Sequence, residues 1–381
     1  MRLVLPLLIA LAAPVSAQQT DPLQARFLGL AAYQAQDLTL AFTLLSTAAT
    51  AGDAEAQYWL ANMYQQGEGT EKNVETAAQW MLRAAESGHA KAIANVTARY
   101  ETGGGLPKDP AKAFFWASKG ADLGEAASMS DLARYYLNGT GTDKDPEAEA
   151  HWLRKAAAAG DKISQYNLAY YLEKGRPPLP RDPVQAAQLY EAAAAQGMLV
   201  AAENLALMHH YGRGIPQDYA TALKYWRIAA EGGRTIAQNN VASMLAHGQG
   251  TSKDIPAAIA WYEKAANAGY VPAMLSLGTI FYTAQGVPRD MPRGAGWYEK
   301  AAIQFDPAAL HILGQLFFYG EVKPQDDIRA WVWFAYADGN GNPKARGFLD
   351  QLNARMSAQA IADANALADR CYSSDDFTPC L

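Results

Sequence analysis

The sequence predicts an all-α protein built as a solenoid of repeated helix pairs. Three observations lead to this fold: a glycine that recurs every 36 or 37 residues, an apolar stripe with helical spacing in each repeat, and an Asp or Asn before each second helix. A single helix pair leaves one apolar face in water, and stacking the next pair buries that face. Phrases such as AWYEKAANAG at 260–269 and GWYEKAAIQF at 296–305 are therefore interpreted as packing units.

The first helix of each repeat, here called helix A, is predicted by its apolar stripe. A branched aliphatic residue is followed directly by a small residue and, four positions after the aliphatic one, by an aromatic or another large side chain. This i, i+1, i+4 spacing places the three side chains on one face of an α-helix. The aliphatic positions are Leu60, Val96, Leu132, Leu168, Leu205, Val241, Leu277 and Leu313.

The second helix, helix B, is predicted by the residues at its two ends. An Asp or Asn at the N-cap accepts a hydrogen bond from an otherwise unpaired backbone amide. The glycine after the helix suits the left-handed conformation that commonly ends a helix. The N-cap residues are Asn73, Asp109, Asp145, Asp182, Asp218, Asp254, Asp290 and Asp326. The terminal glycines are Gly52, Gly88, Gly124, Gly160, Gly197, Gly233, Gly269 and Gly341, with Phe305 in place of one more.

Inside helix B, a small residue precedes an aromatic residue by three positions. Ala258 and Trp261 are one example, and Gly294 and Trp297 are another. Small residues let helix backbones approach each other, and the aromatic rings fill the space between them. Glu149 is the clearest exception in the small column.

The N-terminus predicts an export signal. Arg2 precedes a short apolar run, and VSA at 15–17 supplies small residues before a cleavage site, which we place between Ala17 and Gln18. We accordingly divide the sequence into four parts. Residues 1–17 are the signal peptide, residues 18–51 are N-terminal capping helices that form a shortened repeat, and residues 52–341 are eight repeats. Residues 342–381 are a C-terminal capping helix, opened by Ser357, and a disulfide-closed tail.

Cysteine usage supports the same compartment. The two cysteines, Cys371 and Cys380, both lie in the C-terminal tail, and neighbouring thiols in an exported chain are expected to form a disulfide. The predicted signal peptide contains no cysteine, which argues against a lipid anchor. No later stretch reaches the roughly 20 apolar residues of a membrane helix. We therefore expect a periplasmic or secreted protein without a membrane span.

The repeat columns resemble Sel-one-like repeats, which are related to the tetratricopeptide repeat. The segment AMLSLGTIFYTAQGVPRDMPRGAGWYEKAA, at 273–302, is similar to the family pattern throughout. The resemblance spans residues 52–341 and implies a right-handed superhelix of helix pairs. It also implies that a protein or peptide partner binds on the concave face.

Composition and motifs predict neither catalysis nor nucleic-acid binding. Lys and Arg number 32 against 38 Asp and Glu, and no long basic run is present that would attract phosphate backbones or anionic lipid. The glycine turns lack phosphate-loop spacing, and the six histidines match no metal-ligand pattern. The S-x-x-K, S-D-N and K-T-G motifs are absent, which leaves a β-lactam-binding or peptidoglycan-hydrolysing enzyme as a remote alternative. No catalytic residue, metal or cofactor is predicted.

One column of helix A suggests a binding site. The residue before the branched aliphatic position is polar in six successive repeats: Asn95, Asp131, Asn167, Asn204, Asn240 and Ser276. By resemblance to tetratricopeptide domains, this position faces the concave groove, where an amide can donate to and accept from a peptide backbone. The alternative is that these side chains bond the adjacent helix, and the sequence leaves both interpretations open.

The sequence therefore predicts a non-catalytic periplasmic scaffold or adaptor that binds another protein or an extended peptide. A place in envelope or exopolysaccharide-related assembly or signalling would suit such a scaffold. A periplasmic regulator that inhibits a membrane sensor is the alternative from the same compartment.

Overall fold

Twenty α-helices and one 3₁₀ turn follow one another in the computed structural model, which describes residues 21–374 and 377–381. No β-strand occurs among these residues, and the helices are arranged as successive pairs. The predicted all-α fold of paired helix repeats is confirmed. The predicted signal peptide lies outside the described residues.

The chain divides into two compact units, residues 21–196 and 197–381. The first contains α1 (Pro22–Gln34), α2 (Leu38–Thr50), α3 (Ala54–Gln66), α4 (Val74–Glu86), α5 (Ala90–Thr102), α6 (Pro110–Asp122), α7 (Ala126–Asn138), α8 (Pro146–Ala158), α9 (Lys162–Lys174) and α10 (Pro183–Ala195). The second contains α11 (Leu199–Tyr211), α12 (Tyr219–Glu231), α13 (Thr235–His247), α14 (Ile255–Asn267), α15 (Val271–Thr283), α16 (Met291–Ala302), α17 (Pro307–Tyr319), α18 (Asp327–Gly339), α19 (Ala345–Arg355), α20 (Ala358–Ser374) and the 3₁₀ turn Thr378–Cys380.

Within each unit, helices that are consecutive in the chain pack against each other as far as α19, and α20 packs against α18. The odd-numbered helices up to α17 are the helices A, and the even-numbered helices up to α18 are the helices B. All eight predicted N-cap residues accept a backbone amide hydrogen bond, as Asp254 does from Ala257 N at 2.9 Å. The helix starts therefore follow from local hydrogen bonding, as predicted.

The glycines predicted to follow the helices B lie two residues beyond the helix ends and have the expected left-handed backbone. Gly269, for example, has φ 88°. Phe305 takes the same conformation with φ 58° although it is not glycine. Its ring packs against Tyr336 and Phe377, with centroids 6.0 and 5.5 Å away. Contacts with the C-terminal part of the chain therefore offset the strain of a left-handed aromatic residue.

The small column of helix A lies against the aromatic residues of helix B. A Cβ atom added to Gly278 would lie 2.5 Å from the Tyr298 ring, and one added to Gly314 would lie 2.7 Å from the Phe334 ring. Both rings are buried. The rings therefore rest directly on the backbone of helix A, which explains why only small residues occupy this column.

The C-terminal part of the chain forms a separate cap. Ser357 opens α20 by accepting from Ala360 N at 3.2 Å, as predicted, and α19 is a further helix before it. Cys371 and Cys380 form the expected disulfide, which joins α20 to the 3₁₀ turn. Both half-cystines are buried. The bond thus holds the end of the chain against the last repeat.

Candidate binding face

The six residues of the predicted polar column lie at equivalent positions on six helices A. Asn95, Asp131 and Asn167 lie on α5, α7 and α9 of the first unit, and Asn204, Asn240 and Ser276 lie on α11, α13 and α15 of the second. All six are half-buried. We call them the polar column. Half-burial leaves part of each side chain accessible to a ligand.

Three members of the polar column bond within their own helix. The Asn95 Oδ1 atom accepts from Arg99 Nε at 2.6 Å, and the Asp131 Oδ1 atom accepts from Arg134 Nη2 at 2.7 Å. The Ser276 hydroxyl donates to the Pro272 carbonyl at 2.9 Å. In the described part of the chain, the other three members, Asn167, Asn204 and Asn240, make no side-chain hydrogen bond. None of the six side chains bonds an adjacent helix directly in the described part of the chain, but Asn95 and Asp131 hold Arg99 and Arg134, which contact Gln65 and Glu101 on the preceding helix A.

A different column supplies side-chain bonds between adjacent helices. Gln57 donates to the Ala49 carbonyl at 3.1 Å, and Gln165 donates to the Ala157 carbonyl at 3.2 Å. Gln238 donates in the same way to Ala230 at 3.2 Å. Each bond joins the start of a helix A to the last turn of the preceding helix B. The sequence did not predict these residues, although a glutamine stands out in a column that elsewhere holds Ile93, Met129, Ala202, Met274 and Leu310.

Polar side chains also join successive helices A in the first unit. Arg99 Nη2 donates to Gln65 Oε1 at 2.9 Å, and Ser164 and Ser130 share a hydrogen bond of 3.0 Å. Between these two contacts, Arg134 pairs with Glu101. The helices A of this unit therefore present a shared polar face, on which the polar column lies.

Charge on this face is concentrated around Arg134. Its guanidinium contacts the carboxylates of both Glu101 and Asp131. Removal from water raises the pKa of the Asp131 carboxyl above its usual range, while the bond from Arg134 opposes that shift. The two carboxylates therefore share the guanidinium of Arg134.

A pocket of about 380 Å³ opens on the same face between α7, α8 and α9. Asp131 and Asn167 line it together with Glu149, the exception in the small column of helix B. Glu149 accepts from the Tyr171 hydroxyl at 2.7 Å. Burial and this hydrogen bond to a carboxylate raise the pKa of Tyr171 to about 12. The pocket thus combines two carboxylates, a neutral phenol and an amide without a hydrogen bond.

The second unit has a pocket at the equivalent place in the repeat. It measures about 300 Å³ and lies between α13, α14 and α15. Ser276 lines it at the position that Asn167 has in the first pocket, and Tyr262 takes the position of Leu153. Members of the polar column therefore line an inter-repeat pocket in each unit.

Metal-binding clusters and membrane-spanning helices are both absent from the described residues. No group of three or more His, Cys, Asp or Glu side chains within residues 21–374 and 377–381 is placed to hold a metal ion. His209 and His210 are half-buried, and burial lowers the pKa of His210. Across the same residues, no helix is both long and apolar enough to cross a bilayer.

A family model described as the Sel1 repeat matches the chain nine times. The matched segments are residues 25–53, 54–89, 90–125, 126–161, 162–198, 199–233, 235–270, 271–304 and 307–337. The chain belongs to the Sel1 repeat family. The predicted family and its solenoid of helix pairs are thereby confirmed.

Two solved Sel1-type structures are similar to this Sel1 repeat protein over most of its length. The protective antigen c5321 of uropathogenic Escherichia coli is 26% identical, with a TM-score of 0.61 over 95% of this chain and 86% of the antigen. A Sel1 repeat protein from Oxalobacter formigenes is 27% identical, with a TM-score of 0.58 over 90% of this chain and 98% of its own. A search of curated proteins found no match. Sel1 repeats typically mediate protein–protein binding.

Proposed function

We propose that this Sel1 repeat protein is a non-catalytic scaffold that binds extended segments of a partner protein through the members of the polar column in each of its two units. The observation that carries the proposal is the state of Asn167, Asn204 and Asn240, which are half-buried and make no side-chain hydrogen bond in the described part of the chain. An extended peptide has an unpaired donor and an unpaired acceptor at each residue, and an amide side chain can satisfy both.

The inter-repeat pockets support the same proposal. Each lies beside a member of the polar column and has apolar walls, such as Leu153 in the first unit and Ile255 in the second. A bound backbone held by the amides would place alternate side chains towards such pockets. Backbone bonding would supply affinity, and the different lining of the two pockets would supply specificity.

The first prediction tests the polar column directly. Replacing Asn167, Asn204 and Asn240 together by Ala should abolish partner capture and leave thermal unfolding nearly unchanged. Amides without a hydrogen bond in the folded chain contribute little to its stability, whereas their loss leaves backbone groups of a bound peptide unpaired. Partners are captured by crosslinking from an envelope extract, identified, purified and bound again to both forms of the chain. Recovery of a sensor kinase would favour a regulator, and recovery of secretion components would favour assembly.

A glutamine variant provides the matched control. Gln165→Ala lies on the same helix as Asn167 but removes the bond to the Ala157 carbonyl. This variant should lose about 1–3 kcal/mol of stability and retain binding per folded molecule. If the triple Asn variant instead melts markedly lower and its folded fraction still binds the partner, the polar column is structural and the proposed function is wrong.

We also propose that the chain is exported and works in the periplasm or outside the cell. The leader pattern of residues 1–17 and the Cys371–Cys380 bond support this location. The second prediction is that protein recovered from the periplasm should begin at Gln18 and should take up a thiol label only after reduction. N-terminal sequencing and mass spectrometry of labelled protein check both points. Free thiols in the native exported protein would contradict the proposal.

A further inference from the structure

A groove on the first unit lies where the end of α4, α5 and the second half of α6 meet, and we call it the α4–α6 groove. Its volume is about 590 Å³. The buried residues Ala85 and Ile93 line it, together with two large apolar residues that are about half exposed. These are Phe115, with 49% of its surface exposed, and Leu123, with 56%. Exposed apolar side chains grouped beside a groove are a feature of interaction sites.

The two exposed apolar residues of the α4–α6 groove depart from the repeat pattern. At the position of Phe115, the preceding repeat has Gln79 and the following repeat has His151. At the position of Leu123, the other seven repeats hold only small or polar residues, as Ser87 shows. The packing of helix pairs therefore does not require either side chain, and the apolar surface is specific to one repeat.

Trp116, which also lines the groove, lacks a contact that its equivalents have. In four other repeats, a cation three positions after the tryptophan lies over its ring, between 3.9 and 4.7 Å from the centroid: Arg83 over Trp80, Lys155 over Trp152, Lys264 over Trp261 and Lys300 over Trp297. The equivalent cation, Lys119, lies over Phe115 instead, at 5.7 Å from that centroid. Within the described part of the chain, no Lys or Arg covers Trp116. The ring can therefore accept a cation from another molecule.

The charges of the groove favour such a cation. Glu86 and Asp122 line it with exposed side chains, and among the described residues neither carboxylate has a cation within 4.0 Å. Lys119 supplies one positive charge against these two negative charges. An aromatic face attracts a cation, and a carboxylate accepts charge-assisted hydrogen bonds from it. The α4–α6 groove thus offers a cation site beside an apolar surface.

We propose that the α4–α6 groove binds an arginine of a partner protein together with an aliphatic side chain next to it. The guanidinium lies over Trp116 and pairs with Glu86 and Asp122. The aliphatic side chain packs against Phe115 and Leu123. Arginine suits the groove better than lysine, because its planar group stacks on a ring and can donate to two carboxylates at once. No lining residue belongs to the polar column, so the groove is a second interaction surface.

The experiment uses the full chain and the peptide acetyl-Ala-Leu-Arg-Leu-Ala-amide. The control peptide carries citrulline, a neutral residue of the same shape, in place of arginine. Each peptide is titrated into ¹⁵N-labelled chain, and the indole N–H signal of Trp116, assigned from a Trp116→Phe variant, reports binding. We expect the arginine peptide to bind about tenfold more tightly than the citrulline peptide, because citrulline has no charge to offer the ring and the carboxylates.

A double variant tests the two carboxylates. Glu86→Gln combined with Asp122→Asn should weaken binding of the arginine peptide about tenfold and leave binding of the citrulline peptide unchanged. Both side chains are exposed and have no cation partner in the described part of the chain, so the fold should be retained. Circular dichroism during thermal unfolding checks that it is.

A second variant tests the apolar surface and the uncovered ring together. Phe115→Gln copies the preceding repeat, so it removes an apolar contact and allows Lys119 to lie over Trp116. Binding of the arginine peptide should fall about tenfold, and the Trp116 signal should shift even without peptide. Val184→Gln is the matched control: its apolar side chain, 57% exposed, belongs to the same unit but lies outside the groove. This control should leave the affinity unchanged.

Three outcomes would overturn the proposal. The first is equal binding of the two peptides, or a Trp116 signal that neither peptide moves up to about 10 mM. The second is an affinity for the arginine peptide that the double carboxylate variant leaves unchanged. The third is a dimer of the chain that Phe115→Gln dissociates, which makes the occupant a second copy. The triple Asn variant of the polar column should bind the arginine peptide normally, so failure of the function proposed above is distinguishable from failure of this site.

Discussion

Glu149 occupies a column that holds Ala113 and Ala186 in the neighbouring repeats. Only 6% of its surface is exposed. A buried carboxylate in the place of a methyl group requires partners, and Glu149 has the Tyr171 hydroxyl at 2.7 Å and the Arg176 guanidinium at 3.8 Å. The carboxylate at this position therefore gives the pocket between α7, α8 and α9 a polar wall, where alanine would leave the contact between the helices apolar.

The third prediction concerns the ionisation of Tyr171. In Glu149→Ala, the pKa of Tyr171 should fall from about 12 towards its ordinary value of 10.0, and burial should keep it from falling the whole way. Glu149→Gln is the control that keeps an acceptor and removes the charge, and its effect should be smaller. Carbon NMR of the tyrosine ring as a function of pH measures the shift.

The same bond affects stability at high pH. The folded pKa of Tyr171 lies above its unfolded value of about 10, so its contribution is complete below that pH and is lost as the pH rises towards about 12. Glu149→Ala should therefore show a smaller loss of stability between pH 10 and 12 than the unmodified chain. An unchanged Tyr171 titration in this variant would show that Glu149 does not set the ionisation of the phenol.

At the scale of the helix pair, the contact between a small residue and an aromatic ring determines how closely helix A approaches helix B. Tyr298 is buried, and its hydroxyl lies 3.0 Å from the Thr279 hydroxyl, so its ring cannot move aside easily. Gly278 lies under that ring. The steric fit between the glycine and the ring therefore stabilises the helix pair in addition to the burial of apolar surface.

The fourth prediction compares two glycines of the second unit. Gly278→Ala should destabilise the chain by about 1–3 kcal/mol, because the new methyl group overlaps the Tyr298 ring. Gly296→Ala is the matched control: nothing lies within 4 Å of its added Cβ, and alanine should stabilise α16 by about 0.5–1 kcal/mol. Chemical denaturation measures both. A Gly278→Ala variant as stable as the unmodified chain would contradict the shape argument.

The parts of a helix pair that sequence could predict are those that repeat and act locally. The N-cap column, the terminal glycines and the small column each occur in several repeats and affect only their own helix or its partner. The contacts of Phe305, of Glu149 and of the glutamines that bond the preceding helix B were not predicted, because each contact depends on a specific neighbour in three dimensions. The tail contacts of Trp333 and Lys323 likewise join residues 47 and 58 positions apart. No periodic pattern reports such contacts.

At the scale of the whole molecule, stability comes from contacts between neighbouring helices. Within each unit most contacts join neighbouring helices, and the bonds between more distant residues either link successive helices A, as Arg134 and Glu101 do, or hold the C-terminal tail. The stability of such an array is approximately a sum of repeat and neighbour terms. The array can therefore lose or gain a whole repeat and still fold.

The fifth prediction uses this property. Deleting residues 235–270, one matched repeat, should leave a helical protein that unfolds cooperatively, because the next repeat presents an equivalent face to the same neighbour. Deleting only residues 253–270 removes a helix B and leaves its helix A without a partner, and helicity and cooperativity should both fall. Circular dichroism during thermal unfolding distinguishes the two variants. Equal losses in both would contradict a modular solenoid.

The uniform length of the helices has a consequence for how such a chain can evolve. From α2 to α18, every helix has 13 residues except α16, which has 12. Coding segments of equal length and similar sequence lie next to each other in the gene, so unequal crossing-over between them exchanges complete helix pairs. Recombination of this kind yields foldable products directly, whereas insertions of other lengths must first be accommodated in loops such as GRPPLPRDP.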